Sequence, residues 1–147
     1  MQIDRYSFEL GMINCFAEMV AVGVKRLALS PPLTPDDYAI VGPLSDQIVQ
    51  GFGIRSRLET SLLVTDLQSA DFTKGKWSIL YFKTEDVLRA YEELKTSASE
   101  MEQSGIYTDK NRRAISRRFM ELLSYPPDVI DAKLNGSMPD PFMLIDV

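Results

Sequence analysis

A chain of 147 residues, 45% hydrophobic and 25% charged, has the size and composition of one globular domain. Such a chain can bury about 70% of its extended surface without a disulfide or a metal. It contains no histidine and a single cysteine, Cys15, which excludes an intramolecular disulfide, zinc sites built on Cys and His, a Ser-His-Asp triad and a Cys-His pair. The net charge of -5 and the lack of a basic tail count against nucleic acid and anionic lipid as partners.

Any catalysis must therefore run on carboxylates, Lys, Tyr, Ser, backbone groups or an oxygen-ligated metal. No metal-ligand spacing and no cofactor motif are present. Residues 1–5 lack a basic region followed by an apolar core, and Glu9 and Glu18 interrupt the hydrophobic stretch behind them. Neither a signal peptide nor a membrane span is expected, and a cytoplasmic location is the default.

Residues 6–22 read as a helix with a wide apolar arc formed by Tyr6, Leu10, Met12, Ile13, Phe16, Ala17 and Val20. A helix this apolar is expected to be buried in the domain or under a second subunit. Gly23 suits its C-terminal stop. Residues 24–30 then predict a short strand that ends at Pro31 and Pro32, because a glycine inside a continued helix would cost about 1 kcal/mol. Thr34, Pro35, Asp36 and Asp37 combine a capping hydroxyl, an N1 proline and two first-turn acids, the start of a helix over 35–51. Pro43 predicts a kink or a division of that helix near Gly42.

The apolar run Leu62, Leu63 and Val64, flanked by Thr60 and Thr65, predicts a strand over 58–67. Trp77, Ile79 and Tyr81 alternate with Leu80 and Phe82, so a strand over 76–83 is apolar on both faces and belongs inside a sheet. The short polar link between these two strands makes them antiparallel neighbours. Thr84 then offers a capping hydroxyl for a helix over 84–103, whose stripe runs through Val87, Leu88, Tyr91, Leu94, Ala98 and Met101. After Gly105 a further helix spans 109–124, with a short one over 128–134. The apolar run from Phe142 to Val147 reads as an edge strand or a docking tail. The expected fold is a single α/β or α+β domain over 1–147, a small mixed sheet covered by four to five helices.

Three constellations carry candidate chemistry. Lys110, Arg112, Arg113, Arg117 and Arg118 crowd one helix, a pattern that holds phosphate or carboxylate. The competing reading pairs them with Glu85, Asp86, Glu92, Glu93, Glu100 and Glu102 of the preceding helix across a helical hairpin, or leaves them facing water. Ser30 lies beyond the carboxyl end of a strand, where open α/β sheets place ligands. Glu9 projects into the apolar arc of the first helix, where a carboxylate can serve as a base. Cys15 reads as an inert thiol, and Tyr107 and Tyr125 as helix-end packing.

These residues support two expectations. The first is a non-catalytic protein that self-associates through the apolar first helix, the 142–147 run or both. The alternative is a small enzyme or sensor for an anionic metabolite, with Arg113, Arg117 or Arg118 holding the anion and Ser30 or Glu9 supplying chemistry. DNA binding through the helix over 109–124 is the weakest reading, because its preceding turn is loose and the chain is acidic.

Overall fold

The computed structural model describes residues 1–138. In chain order the elements are α1 (Arg5–Ala21), β1 (Leu27–Leu29), α2 (Pro35–Phe52), β2 (Arg55–Glu59), α3 (Ala70–Thr73), β3 (Ser78–Phe82), α4 (Glu85–Gln103), α5 (Asp109–Leu122) and α6 (Pro127–Leu134). All five residues of β3 are buried, as expected of a strand apolar on both faces. β3 occupies the centre of a three-stranded sheet of order β1-β3-β2. Both pairings are antiparallel, with Leu29 opposite Leu80 and Glu59 opposite Ser78. β1 and β2 thus run parallel to each other, but β3 lies between them, so the sheet is antiparallel throughout instead of mixed. The fold is α+β, with six helices among the described residues.

Alternation along β3 divides the core into two layers. Ile79 and Tyr81 point to α1 and α2, where they pack with Ile13, Ala17, Val20, Val41 and Val49. Leu80 and Phe82 point the other way, to Val87, Leu88, Tyr91 and Leu94 of α4 and to Ile115 and Phe119 of α5. The Tyr81 hydroxyl is taken into the first layer and hydrogen-bonds Ser45 Oγ at 2.7 Å. Burial raises its pKa, with the Ser45 bond acting in the opposite direction.

Local chemistry sets the helix ends. Asp4 accepts the Ser7 N–H at the start of α1. Thr34 and Asp37 form a reciprocal capping box at the start of α2. α2 passes through Pro43 as one element, so the predicted division is absent. Pro43 and Ala39, the residue four positions before it, are both exposed, so water can satisfy the carbonyl that a proline leaves unbonded. Gly53 closes α2 in the left-handed region at φ 67°. Thr84 occupies the cap of α4 as expected, but its hydroxyl makes no cap hydrogen bond; it pairs with Asp86 and holds that carboxyl below its ordinary range.

The strand expected over 58–67 lies at Arg55–Glu59 instead. Leu62 and Leu63 are buried without strand pairing, so their apolarity reflects core packing of an irregular segment. The true strand was hidden because its α4-facing side chains are charged. Arg55 bonds Glu85 and Arg57 bonds Glu92, while Glu59 accepts Lys95 at 2.8 Å. Glu85 and Glu92 of α4 therefore pair with β2; among the described residues no ion pair joins α4 to α5 across the helical hairpin, and Arg113 and Arg118 face water instead. The 142–147 run lies outside the described residues.

Ser45 and Tyr81 are both fully buried, which generates a test. Tyr81→Phe should lower stability by about 1–3 kcal/mol in urea denaturation, because it leaves a buried hydroxyl unpaired; adding Ser45→Ala should recover part of that loss. Equal stability of the single variant and the wild type would show that the pair carries no weight.

Candidate functional site

Two prolines interrupt the β1 to β3 ladder and shape its surroundings. Ser30 N–H still reaches Ile79 O at 2.8 Å, and the pairing resumes at Leu33 and Trp77. In between, Pro31 and Pro32 can donate nothing. Hydroxyls fill the gap: Ser30 Oγ accepts the Ile79 N–H at 2.9 Å, and Ser78 Oγ donates to Ser30 O at 2.9 Å. Beside this interruption, along the edge of β1 that faces away from β3, lies a cavity of about 500 Å³.

Its walls come from both sides of the sheet. Phe16 of α1 stands on one side and Phe119 and Leu123 of α5 on the other, while Leu62, Leu67 and Phe72 from the β2–β3 connection close the far wall. The polar groups at the cavity are few: Lys25, Ser30, Asp66, Gln68, Ser69 and Ser78. Asp66 is neutralised by Arg112 Nε at 2.9 Å and also accepts Ser116 Oγ. Gln68 is committed to Leu63 O at 2.7 Å.

Lys25 stands apart from this set. Its Nζ donates to Leu123 O at 2.8 Å and lies 5.4 Å from the centre of the Tyr125 ring and 5.9 Å from that of Phe16. Among the described residues no carboxylate comes within salt-bridge distance of it. Burial lowers its pKa. The rim that receives it is held in place by an unusual residue. Ser124 has φ 70°, the one positive value outside glycine among the described residues, and its Oγ accepts the Arg26 N–H at 2.9 Å.

The predicted site residues do not converge. Ser30 lines the cavity, but its hydroxyl is occupied by Ile79 N–H and Pro31 O. Glu9 is buried, as its projection indicated, and sits at the opposite face in a network of its own. Arg5 Nε donates to Glu9 Oε1 at 3.0 Å, Arg5 Nη2 to Asp37 at 2.9 Å, and the Tyr6 hydroxyl to Asp37 at 3.1 Å. Glu9 Oε2 is buried without a partner. Arg117 pairs with Asp131 of α6 at 2.7 Å, and Arg113 and Arg118 are exposed. Arg118 borders only a shallow groove with Arg89, Glu92 and Glu93 of α4. Tyr107 donates to Val64 O at 2.7 Å, the helix-end role expected of it, whereas Tyr125 belongs to the cavity rim.

Lys25 escaped sequence reading because nothing local distinguishes it from Arg26; only the docking of the β1 entry against the end of α5 encloses it. Asp66 and Gln68 were missed through the misplaced strand. No group of three or more Asp, Glu, Cys or His side chains among the described residues is arranged to hold a metal, and none of their helices is long and apolar enough to cross a membrane. Comparison of the chain with protein-family models, curated proteins and solved structures finds no match.

The Arg5, Tyr6, Glu9 and Asp37 network has a pH signature. Burial opposes the charge on Asp37, but bonds from Thr34 and Tyr6 and the charge of Arg5 outweigh it and lower its pKa from 3.8 to about 2. A pKa lowered in the folded state stabilises fully above the ordinary value, and the contribution fades as pH falls toward the folded value. Asp37→Asn should cost about 2 kcal/mol at neutral pH, because it removes the charge that Thr34, Tyr6 and Arg5 stabilise, and should flatten the loss of stability between about pH 4 and 2, measured by denaturant titration at each pH. An acid limb identical to that of the wild type would remove Asp37 from the account.

Proposed function

We propose that this domain is a non-catalytic binding protein whose small-molecule ligand occupies the cavity beside β1. The cavity itself carries the reading: about 500 Å³ falls within the roughly 300–1,000 Å³ of small-molecule sites, which are apolar-walled with a few fixed polar groups. Binding without chemistry is the better reading because the Ser30 hydroxyl is engaged with backbone groups and neither Lys25 nor a carboxylate is hydrogen-bonded to it. The test is a thermal-shift panel of small aliphatic and aromatic compounds, neutral and charged. At ten times its Kd a ligand adds about 1.4 kcal/mol, several degrees for a domain of this size. Leu67→Trp, which fills the cavity from its half-buried wall, should abolish the shift. A panel in which no compound moves the wild-type melting temperature would overturn the proposal.

A second reading, self-association, is favoured by the outer side of α1. Phe8, Met12 and Met19 lie along one stripe and remain half-buried, and beyond the helix Val22 is 68% and Val24 64% exposed. A second copy packed on this stripe would cover them. Light scattering at low micromolar concentration should then give a dimer that Met19→Glu dissociates; a clean monomer would eliminate this reading.

A further inference from the structure

Resting on the cavity reading, we infer that the ligand is an amphiphilic monocarboxylate, its head on Lys25 and its alkyl or aryl body against Leu29, Leu67 and Phe72. An ammonium group has three N–H donors. One Lys25 donor reaches Leu123 O, and two aromatic rings lie 5.4 and 5.9 Å from Nζ, which attract a cation without neutralising it. A carboxylate entering here would accept the remaining donors at a half-buried site, where an ion pair counts for more than at the open surface.

The charge at the site selects the head group. Among the described residues Lys25 is the one cation in the cavity lining; Lys133 Nζ, 5.0 Å from the centre of the same Tyr125 ring, stands outside that lining, and a compact ammonium lacks the planar bidentate fit of a guanidinium to phosphate. Asp66 also borders the cavity. Its charge is already matched by Arg112, so Lys25 is left as the group that sets the charge of the ligand. A dianionic phosphate would leave one charge uncompensated among apolar walls, which is costly, whereas one carboxylate matches one ammonium. The body needs no polar contact of its own: each further buried methylene should tighten binding roughly fourfold, so affinity should rise with chain length until the cavity is full. Lysine would also lose the head-group interaction as pH rises through its pKa, which burial has lowered.

Titration calorimetry of the full chain with octanoate, octan-1-ol and octyl phosphate tests this. Octanoate should bind roughly tenfold or more tightly than octan-1-ol, the scale of one charge-assisted hydrogen bond, and more tightly than octyl phosphate. Lys25→Met should remove the preference for octanoate over octan-1-ol. Equal wild-type affinity for acid and alcohol, tighter binding of the phosphate, or an acid preference that survives Lys25→Met would overturn the carboxylate assignment while leaving the cavity reading intact. If none of the three binds, this inference falls, and the cavity reading falls with it only where the thermal-shift panel is also blank. Because Lys25 also ties β1 to the end of α5, the wild-type comparison decides the outcome should Lys25→Met fail to fold.

Discussion

A strand of five residues buried on both faces obliges the chain to supply apolar cover twice, and most of the architecture follows from that demand. α1 and α2 cover Ile79 and Tyr81, α4 and α5 cover Leu80 and Phe82. With β3 in the centre, its short neighbours are both edges, so no further strand is needed to bury it. The requirement also explains the polar pair in the first layer. Tyr81 fills space that a smaller residue would leave empty, but it brings a hydroxyl that must find a partner, and Ser45 of α2 provides it.

The two edges of the sheet are protected by different means, and the difference locates the cavity. β2 presents Arg55, Arg57 and Glu59 to α4, and each meets an opposite charge there. Charged side chains on an edge strand discourage pairing with another chain, and the order of signs, two bases and then an acid, meets its opposites on α4 in one placement and not in a shifted one. β1 has only three residues and no such ladder. Its entry is tied down by Lys25 to Leu123 O and by Arg26 N–H to Ser124 Oγ, and its exit is turned aside by Pro31 and Pro32. Between these two attachments the described residues leave the free edge facing the cavity, and the β2–β3 connection forms its far wall.

Where function of the backbone and burial pattern coincided, the sequence was readable. β3 and the helix starts at Asp109 and Pro35 carry their own chemistry: two-sided apolarity, or a cap followed by acids. β2 was unreadable for the converse reason. Its partners Glu85, Glu92 and Lys95 are distant in the chain, so a charged strand looks like a loop and the buried Leu62 and Leu63 look like a strand. Of the candidate site residues only Ser30 lies at the cavity, and the reason given for it, a position beyond a strand end, holds as geometry. Glu9 was correctly placed inside, but its carboxylate answers to Arg5. Lys25 had no periodicity, motif or spacing to mark it, because its environment is made by residues about a hundred positions later in the chain.

The abundance of cations on α5 drew attention away from the one that matters by its surroundings. A guanidinium in water, such as Arg113 or Arg118, binds an anion in competition with solvent and salt and gains little. Arg112 and Arg117 are already matched by Asp66 and Asp131. Lys25 has given up part of its hydration without receiving a counter-charge, and the carbonyl and aromatic rings around it compensate only in part. That imbalance is tolerated because the ammonium is half-buried rather than enclosed, so water reaches it from the cavity side. The same opening through which water now stabilises the charge is the one through which a carboxylate could replace that water, and this is why the physical case for a ligand rests on one lysine and not on the five cations of the neighbouring helix.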